Sequence, residues 1–378
     1  MTKKLKKSDI TLIIGFIAML LLNIIARLSH TFSDFYVQKI FPIISLPLMW
    51  LSGLFPFAVG EWLIIVGILI VLLGMPAIIT LLIVKRKDKP ARKRIGAFAL
   101  RFVLWVALYI FVTETLNCFI MYQCSTFSSR YFKETEHNEE LLLDTLEAVA
   151  IKVSDLHDNF IRDEEGYIVL NKDYRPECID AMKNTAAMYS QLSGYYPTPK
   201  PIFNSFFMSQ EGVIGLYIPF TMEATFNQDT QDIAKPSTIC HELAHLKGII
   251  QEDEANFVSM VVCFLSQNDA VRYSGYLDAL YYLYADAKKL VGTEYEDEYY
   301  RVISIVPQIV WSNDIASYKA NYWEENKDKE IIPTDTVEAV SEALTDVTLQ
   351  LNGVEDGILS YYRVVELLMD YYACGGTI

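Results

Sequence analysis

Five consecutive residues carry the densest chemistry in this chain: His241-Glu242-Leu243-Ala244-His245. In a helix, positions four apart project from one face, so both imidazoles can reach a single ion. Glu242 stands beside them, placed to take a proton from an attacking water rather than to bind the ion. Zinc suits this donor set, because it accepts nitrogen and oxygen ligands tetrahedrally and makes a water acidic enough to ionise near neutral pH. A catalytic zinc needs a third protein ligand and one open position. His245 is the last of five histidines, so that ligand is expected to be a carboxylate from Gln251-Glu252-Asp253-Glu254-Ala255-Asn256. Gly248 can end the first helix at positive φ, and a second helix starting near Ile250 can then return toward the ion. Glu252 and Asn256 lie one turn apart on that helix, with Ala255 small enough for close helix–helix contact. Glu252 is the expected ligand, Asn256 the group that orients an imidazole, and Glu254 the alternative ligand.

Such a cluster needs a folded domain to hold it. The 378 residues are 52% hydrophobic and 21% charged, too apolar for a disordered chain and long enough for two or three structural units. Charge is unevenly placed. Residues 1–120 hold 14 Lys and Arg against 5 Asp and Glu, and the remainder 18 against 42, so +9 and −24 make up the net −15. A domain that acidic repels a phosphate backbone, which argues against nucleic acid as a partner. Six cysteines without CxxC spacing do not read as a zinc ribbon or a disulfide framework.

The first third reads as membrane. Segments near 10–27, 62–84 and 97–121 are expected to be transmembrane helices. The first follows Lys3, Lys4, Lys6 and Lys7 and has no small-residue cleavage site after it, so an uncleaved anchor is expected. The third contains Arg101, which can snorkel, and Glu114, expected at the interface. Segment 41–60 is uncharged too, but it holds Pro42, Pro47 and Pro56. If it spanned, the seven basic residues between 85 and 94 would lie outside, against the positive-inside rule. It is therefore expected to be re-entrant or interfacial. The implied division is a membrane domain over 1–122 and an extracytoplasmic domain over 123–378.

Past residue 123, apolar residues recur at helical spacing. Helices are expected at 139–160, 176–192, 252–266, 268–290, 297–306, 336–351 and 358–372. Two stretches rich in Phe, Tyr, Ile and Thr, 201–208 and 215–226, read as strands, and Pro219 suits an edge strand. The fold class is thus an α-helical membrane anchor followed by an α+β, mainly helical domain with a small sheet. Glu223 is expected to be surface charge. Tyr273, Tyr276 and Tyr318 are all conceivable stabilisers of an oxyanion, and nothing in the sequence chooses among them.

His241–His245 with Glu252, Ala255 and Asn256 resembles the gluzincin metallopeptidases, whose third ligand is a Glu on a following helix. The separation from His245 to Glu252 is shorter than in most of them, and Asn256 stands where an acidic residue is usual. The longer pattern of Gly215, Tyr217, Pro219, Phe220, Thr221, Glu223 and Ala224, followed by His241–His245, Gly248 and Glu252–Phe257, is similar to a bacterial membrane-protein family, DUF3810. These resemblances imply a zincin-like domain behind membrane helices, in the bacterial cytoplasmic membrane. They imply one Zn2+ and a peptide or protein substrate, including substrates attached to the lipid bilayer. An edge strand beside the cleft would pair with the substrate backbone. The competing expectations are a non-catalytic zincin-like protein that binds a peptide or protein partner, and a cytosol-facing quality-control protease. Oligomeric state is not legible.

Overall fold

The computed structural model describes residues 6–351 and 363–378. Lys3, Lys4 and the start of the helix expected at 358–372 lie outside the described residues. The chain forms two compact units: Met1–Cys124 with Ile218–Glu223, and Ser125–Tyr217 with Ala224–Ile378.

In hydrocarbon, a backbone must satisfy its own hydrogen bonds, and the first unit does so with helices. They are α1 (Lys7–Leu28), α2 (His30–Phe35), α3 (Phe41–Gly53), α4 (Val59–Leu69), α5 (Met75–Val84) and α6 (Lys89–Glu114). Among the described residues, four helical stretches are long and apolar enough to cross a membrane: Lys7–Leu28, His30–Gly53, Val59–Val84 and Lys89–Gln123. Asp88 opens α6 by accepting the Ala91 N–H, and Pro90 sits in the first turn, where no N–H is needed. α1 and α6 run in the same direction. Arg101 Nε donates to Asp9 Oδ1 at 2.8 Å near their starts, and Asn23 Nδ2 donates to Thr115 Oγ1 at 2.8 Å near their ends. His30–Gly53 begins against the far end of the Lys89–Gln123 stretch, with His30 Nδ1 2.9 Å from the Gln123 carbonyl and the Tyr36 hydroxyl donating to the Leu116 carbonyl at 2.7 Å. Glu223 is not surface charge. It is 1% exposed, and its carboxylate accepts the N–H groups of Val59 and Gly60 at 2.9 and 2.7 Å. The unpaired N–H groups and positive end of α4 draw it inward.

The second unit is a helical stack with a small sheet. α7 (Phe127–Tyr131), α8 (Glu139–Leu156) and α9 (Arg175–Thr185) precede α10 (Ser205–Gln210), and α11 (Lys235–His245), α12 (Glu252–Phe264) and α13 (Asp269–Ala287) form the centre. α14 (Glu296–Ile303), α15 (Tyr322–Glu325), α16 (Thr334–Leu351) and α17 (Val364–Ala373) follow. α8 buries Leu142, Leu146, Val149 and Val153, one helical stripe, and packs on α13. Three strands, β1 (Lys200–Pro201), β2 (Gly215–Ile218) and β3 (Glu223–Phe226), lie in the order β1-β3-β2, so β2 is an edge. Lys200 pairs with Thr225 in parallel register. The cysteines form no disulfide.

Three expectations need correction. Segment 201–208 is not a strand beyond Pro201. It turns into α10, because Ser205 and Ser209 are one helical turn apart, and Ser209 Oγ both donates to the Ser205 carbonyl and accepts from Asn227 Nδ2. Segment 215–226 is two strands, broken at 219–222, where Met222 adopts φ +53°. The helix expected at 176–192 stops at Thr185, and Ser190–Leu192 forms a separate single turn.

A largely buried ion pair of the second unit joins Arg162 to Asp314 through two hydrogen bonds of 2.6 and 2.8 Å. The Tyr273 hydroxyl donates to the same carboxylate at 2.7 Å, and the Asp314 side chain is 0% exposed. Removing one member leaves the other charge without its partner. Asp314→Ala is expected to lower stability by about 3 kcal/mol or more, read as a shift in denaturant midpoint, whereas Arg175→Ala, at a more exposed pair with Asp173, should move it by about 1 kcal/mol or less.

Candidate metal centre

α11 begins with Pro236 in its first turn and delivers His241, Glu242 and His245 at its C-terminal end. The helix closes through Gly248, whose φ of +81° permits its N–H to reach the His245 carbonyl at 3.0 Å. The chain then turns so that the Ile249 carbonyl lies 2.7 Å from His245 Nδ1. A carbonyl can only accept, so Nδ1 carries the proton and Nε2 keeps its lone pair for a ligand. α12 starts at once with Glu252, Asp253 and Glu254, three carboxylates at the positive end of a helix.

The turn brings Glu252 back over α11. Its oxygens lie 3.1 Å from His241 Nε2 and 3.7 Å from His245 Nε2. The two imidazole rings stand at 89° with centroids 4.6 Å apart, and ligand atoms from His241, His245 and Glu252 all lie within 4.8 Å of one another. Two imidazole nitrogens and a carboxylate oxygen at these separations suit a zinc-sized cation. Asn256, one turn beyond Glu252, hydrogen-bonds His241 and donates from Nδ2 to the Tyr282 hydroxyl at 3.3 Å. Glu254 points elsewhere: buried, it accepts the N–H of Ser128 at 2.8 Å and the Ser128 hydroxyl as well.

Burial sets the protonation of the cluster. His245 is driven down to about 4 by loss of solvent. Burial pulls His241 the same way, but the hydrogen bond and charge of Glu252, helped by Glu242, outweigh it and hold His241 at about 9. Glu242 is pushed up to about 8, chiefly by burial. Its Oε2 is buried without a hydrogen-bond partner among the described residues, an arrangement that costs stability unless the group serves something else.

β2 closes the site from one side. A side chain on Gly215 would place Cβ 2.3 Å from Glu242 Oε1 and 2.7 Å from Thr238 Cγ2, so only glycine lets the strand approach. Two residues on, and therefore on the same face of the strand, the Tyr217 ring lies 5.7 Å from the His245 ring. Tyr217 was not among the tyrosines expected near the site. Its signal was the two-residue spacing from Gly215. Of the three that were considered, Tyr273 is committed to Asp314, Tyr276 stacks on Phe264, and the Tyr318 hydroxyl accepts from Asn227.

Residues 36–369 match the model of a family described as a protein of unknown function, DUF3810. The chain belongs to the DUF3810 family. No curated protein and no solved structure matches it. The geometry of this DUF3810 chain separates two neighbouring carboxylates by role. If the three groups hold an ion, Glu252→Ala should abolish stoichiometric cation binding, measured by metal titration of the purified chain. Glu254→Ala should keep the cation and lower stability by about 1 kcal/mol, because the half-buried Ser128 N–H and hydroxyl lose their acceptor. Metal loss in the Glu254 variant alone would place the ligand on the wrong carboxylate.

Proposed function

We propose that this chain is a membrane-anchored, gluzincin-like zinc metallopeptidase. The observation that carries the reading is the joint placement of three ligand atoms within 4.8 Å and a buried, unpartnered Glu242 oxygen on the same turn of helix. His241, His245 and Glu252 would hold the ion, leaving one position open for water and substrate. When bound, zinc supplies Lewis-acid polarisation of the scissile carbonyl and acidifies the attacking water. Glu242, near neutrality at about 8, takes the proton from that water and passes it to the departing amine. His245 is held in one tautomer by the Ile249 carbonyl, and His241 is steadied by Asn256. β2 is an edge strand beside the cluster, so an extended peptide can add to it by backbone pairing with little demand on sequence. An intact Glu242 favours catalysis over passive binding, since a binding module has no use for a buried base.

On localisation, the parallel run of α1 and α6 supports the extracytoplasmic reading. It sets Lys6 and Lys7 at the same end as the basic segment 85–94, and the positive-inside rule puts that end in the cytosol.

Metal analysis and peptide cleavage test the chemistry together. One zinc per chain is expected, lost in His241→Ala and His245→Ala. Glu242→Gln should keep the metal and lose hydrolysis of a peptide panel by about 10²–10⁴-fold. Stoichiometric zinc in a double-histidine variant, or undiminished cleavage by Glu242→Gln, would falsify the assignment. For topology, a cysteine introduced at Lys87 should resist an impermeant thiol reagent on intact cells, and one at Asn326 should react.

A further inference from the structure

An open cavity of about 730 Å³ runs along the first half of α6, with Lys6, just ahead of α1, at its basic end. Lys6, Lys93, Arg94 and Arg101 line it, with Phe98 and Trp105, and no carboxylate is among the described residues that line it. Asp9 sits outside the lining and engages Arg101 through Nε and Nη2, which leaves the guanidinium with donors to spare. Lys93 and Arg94 are exposed. We propose that this cavity binds an anionic glycerophospholipid, its phosphodiester held by Lys6, Lys93, Arg94 and Arg101.

Three features select that ligand. Four cations against the single nearby carboxylate of Asp9 call for an anion, and Arg presents paired donors that match two phosphate oxygens. A zwitterionic headgroup brings its own ammonium group, which would meet only like charge there. From Lys93 to Trp105 the cavity wall rises about 18 Å along α6, passing from cations to aromatic rings. Phe98 is 71% exposed and Trp105 42% exposed, within a stretch apolar enough to cross a membrane. Free phosphate has no use for that apolar wall; acyl chains do. Basic pockets between transmembrane helices bind anionic headgroups on this physical basis.

The test uses the full chain in detergent, with native mass spectrometry after adding phosphatidylglycerol or phosphatidylcholine. Phosphatidylglycerol should be retained in preference to phosphatidylcholine. Each cation removed should cost about fivefold in retention, so Lys93→Gln/Arg94→Gln should lose about 25-fold by that scale. Lys85→Gln/Lys87→Gln removes the same charge from residues outside the cavity and should change retention by less than about twofold, as distance and screening from the headgroup require. Millimolar inorganic phosphate should not displace the lipid. Equal retention of the two lipids, equal loss in both variant pairs, or displacement by phosphate would each overturn the proposal. The first would remove the charge selectivity, the second would leave only diffuse surface attraction, and the third would make it a free-phosphate site.

Discussion

Two imidazoles and two carboxylates cannot be taken out of water together unless their charges cancel, since an isolated buried charge costs several kcal/mol. The α11–α12 turn meets this constraint residue by residue. His245 at about 4 and Glu242 at about 8 are neutral near pH 7, while His241 at about 9 keeps a proton beside the Glu252 carboxylate. A divalent ion held by His241, His245 and Glu252, as proposed, would supply the positive charge that two buried carboxylates lack. The same burial that penalises the separate charges would then favour one cation at their centre. Everything around the cluster serves to hold this arrangement: Gly248 reverses the chain, Ile249 fixes one ring and Asn256 steadies the other.

The turn itself is short, and that has a consequence for packing. α12 returns along α11 after only the few residues from Leu246 to Gln251, so the two helices must lie in contact over most of their length. Cys240, Ala244, Ala255 and Val258 are all buried at 2% exposure or less. Small side chains on both helices keep the axes close enough for Glu252 to reach both imidazoles. β2 approaches the same face as a bare backbone at Gly215. The site is thus walled by main chain on one side and by tightly packed helices on the other, which leaves few mobile side chains near the ligands and favours preorganisation.

What could be read from sequence was what is local. His241, Glu242, His245, Gly248 and Glu252 fall within twelve residues, and helical periodicity with one reversed turn is enough to bring them together. The role of Glu254 was not local: Ser128, its partner, is 126 positions away. Asn256 was placed beside an imidazole by its spacing, but Tyr282, which orients its amide, comes from another helix. Aromatic content suggested a strand at 201–208, whereas the bond from Asn227 to Ser209 rewards a helix there. Glu223 was misread for the same reason, because the N–H groups that hold it belong to residues more than 160 positions earlier.

Pairing in the first unit follows a rule that sequence hydropathy does not express. Asp9 meets Arg101, and Asn23 meets Thr115; both pairs are separated by 92 positions. From one pair to the next each chain segment advances fourteen residues, two heptads, which returns the partner to nearly the same helix face. Phe16 stacks near Phe111 between them, and Gly15 lets Leu108 approach. Apolar surfaces alone would allow α1 to slide along α6, since lipid and leucine are equally apolar. A slip of one turn, about 5.4 Å, would unpair an ionic contact at one end and an amide at the other. Two polar pairs two heptads apart therefore specify both the direction and the register of these helices, and through them the position of the basic cluster that begins each one.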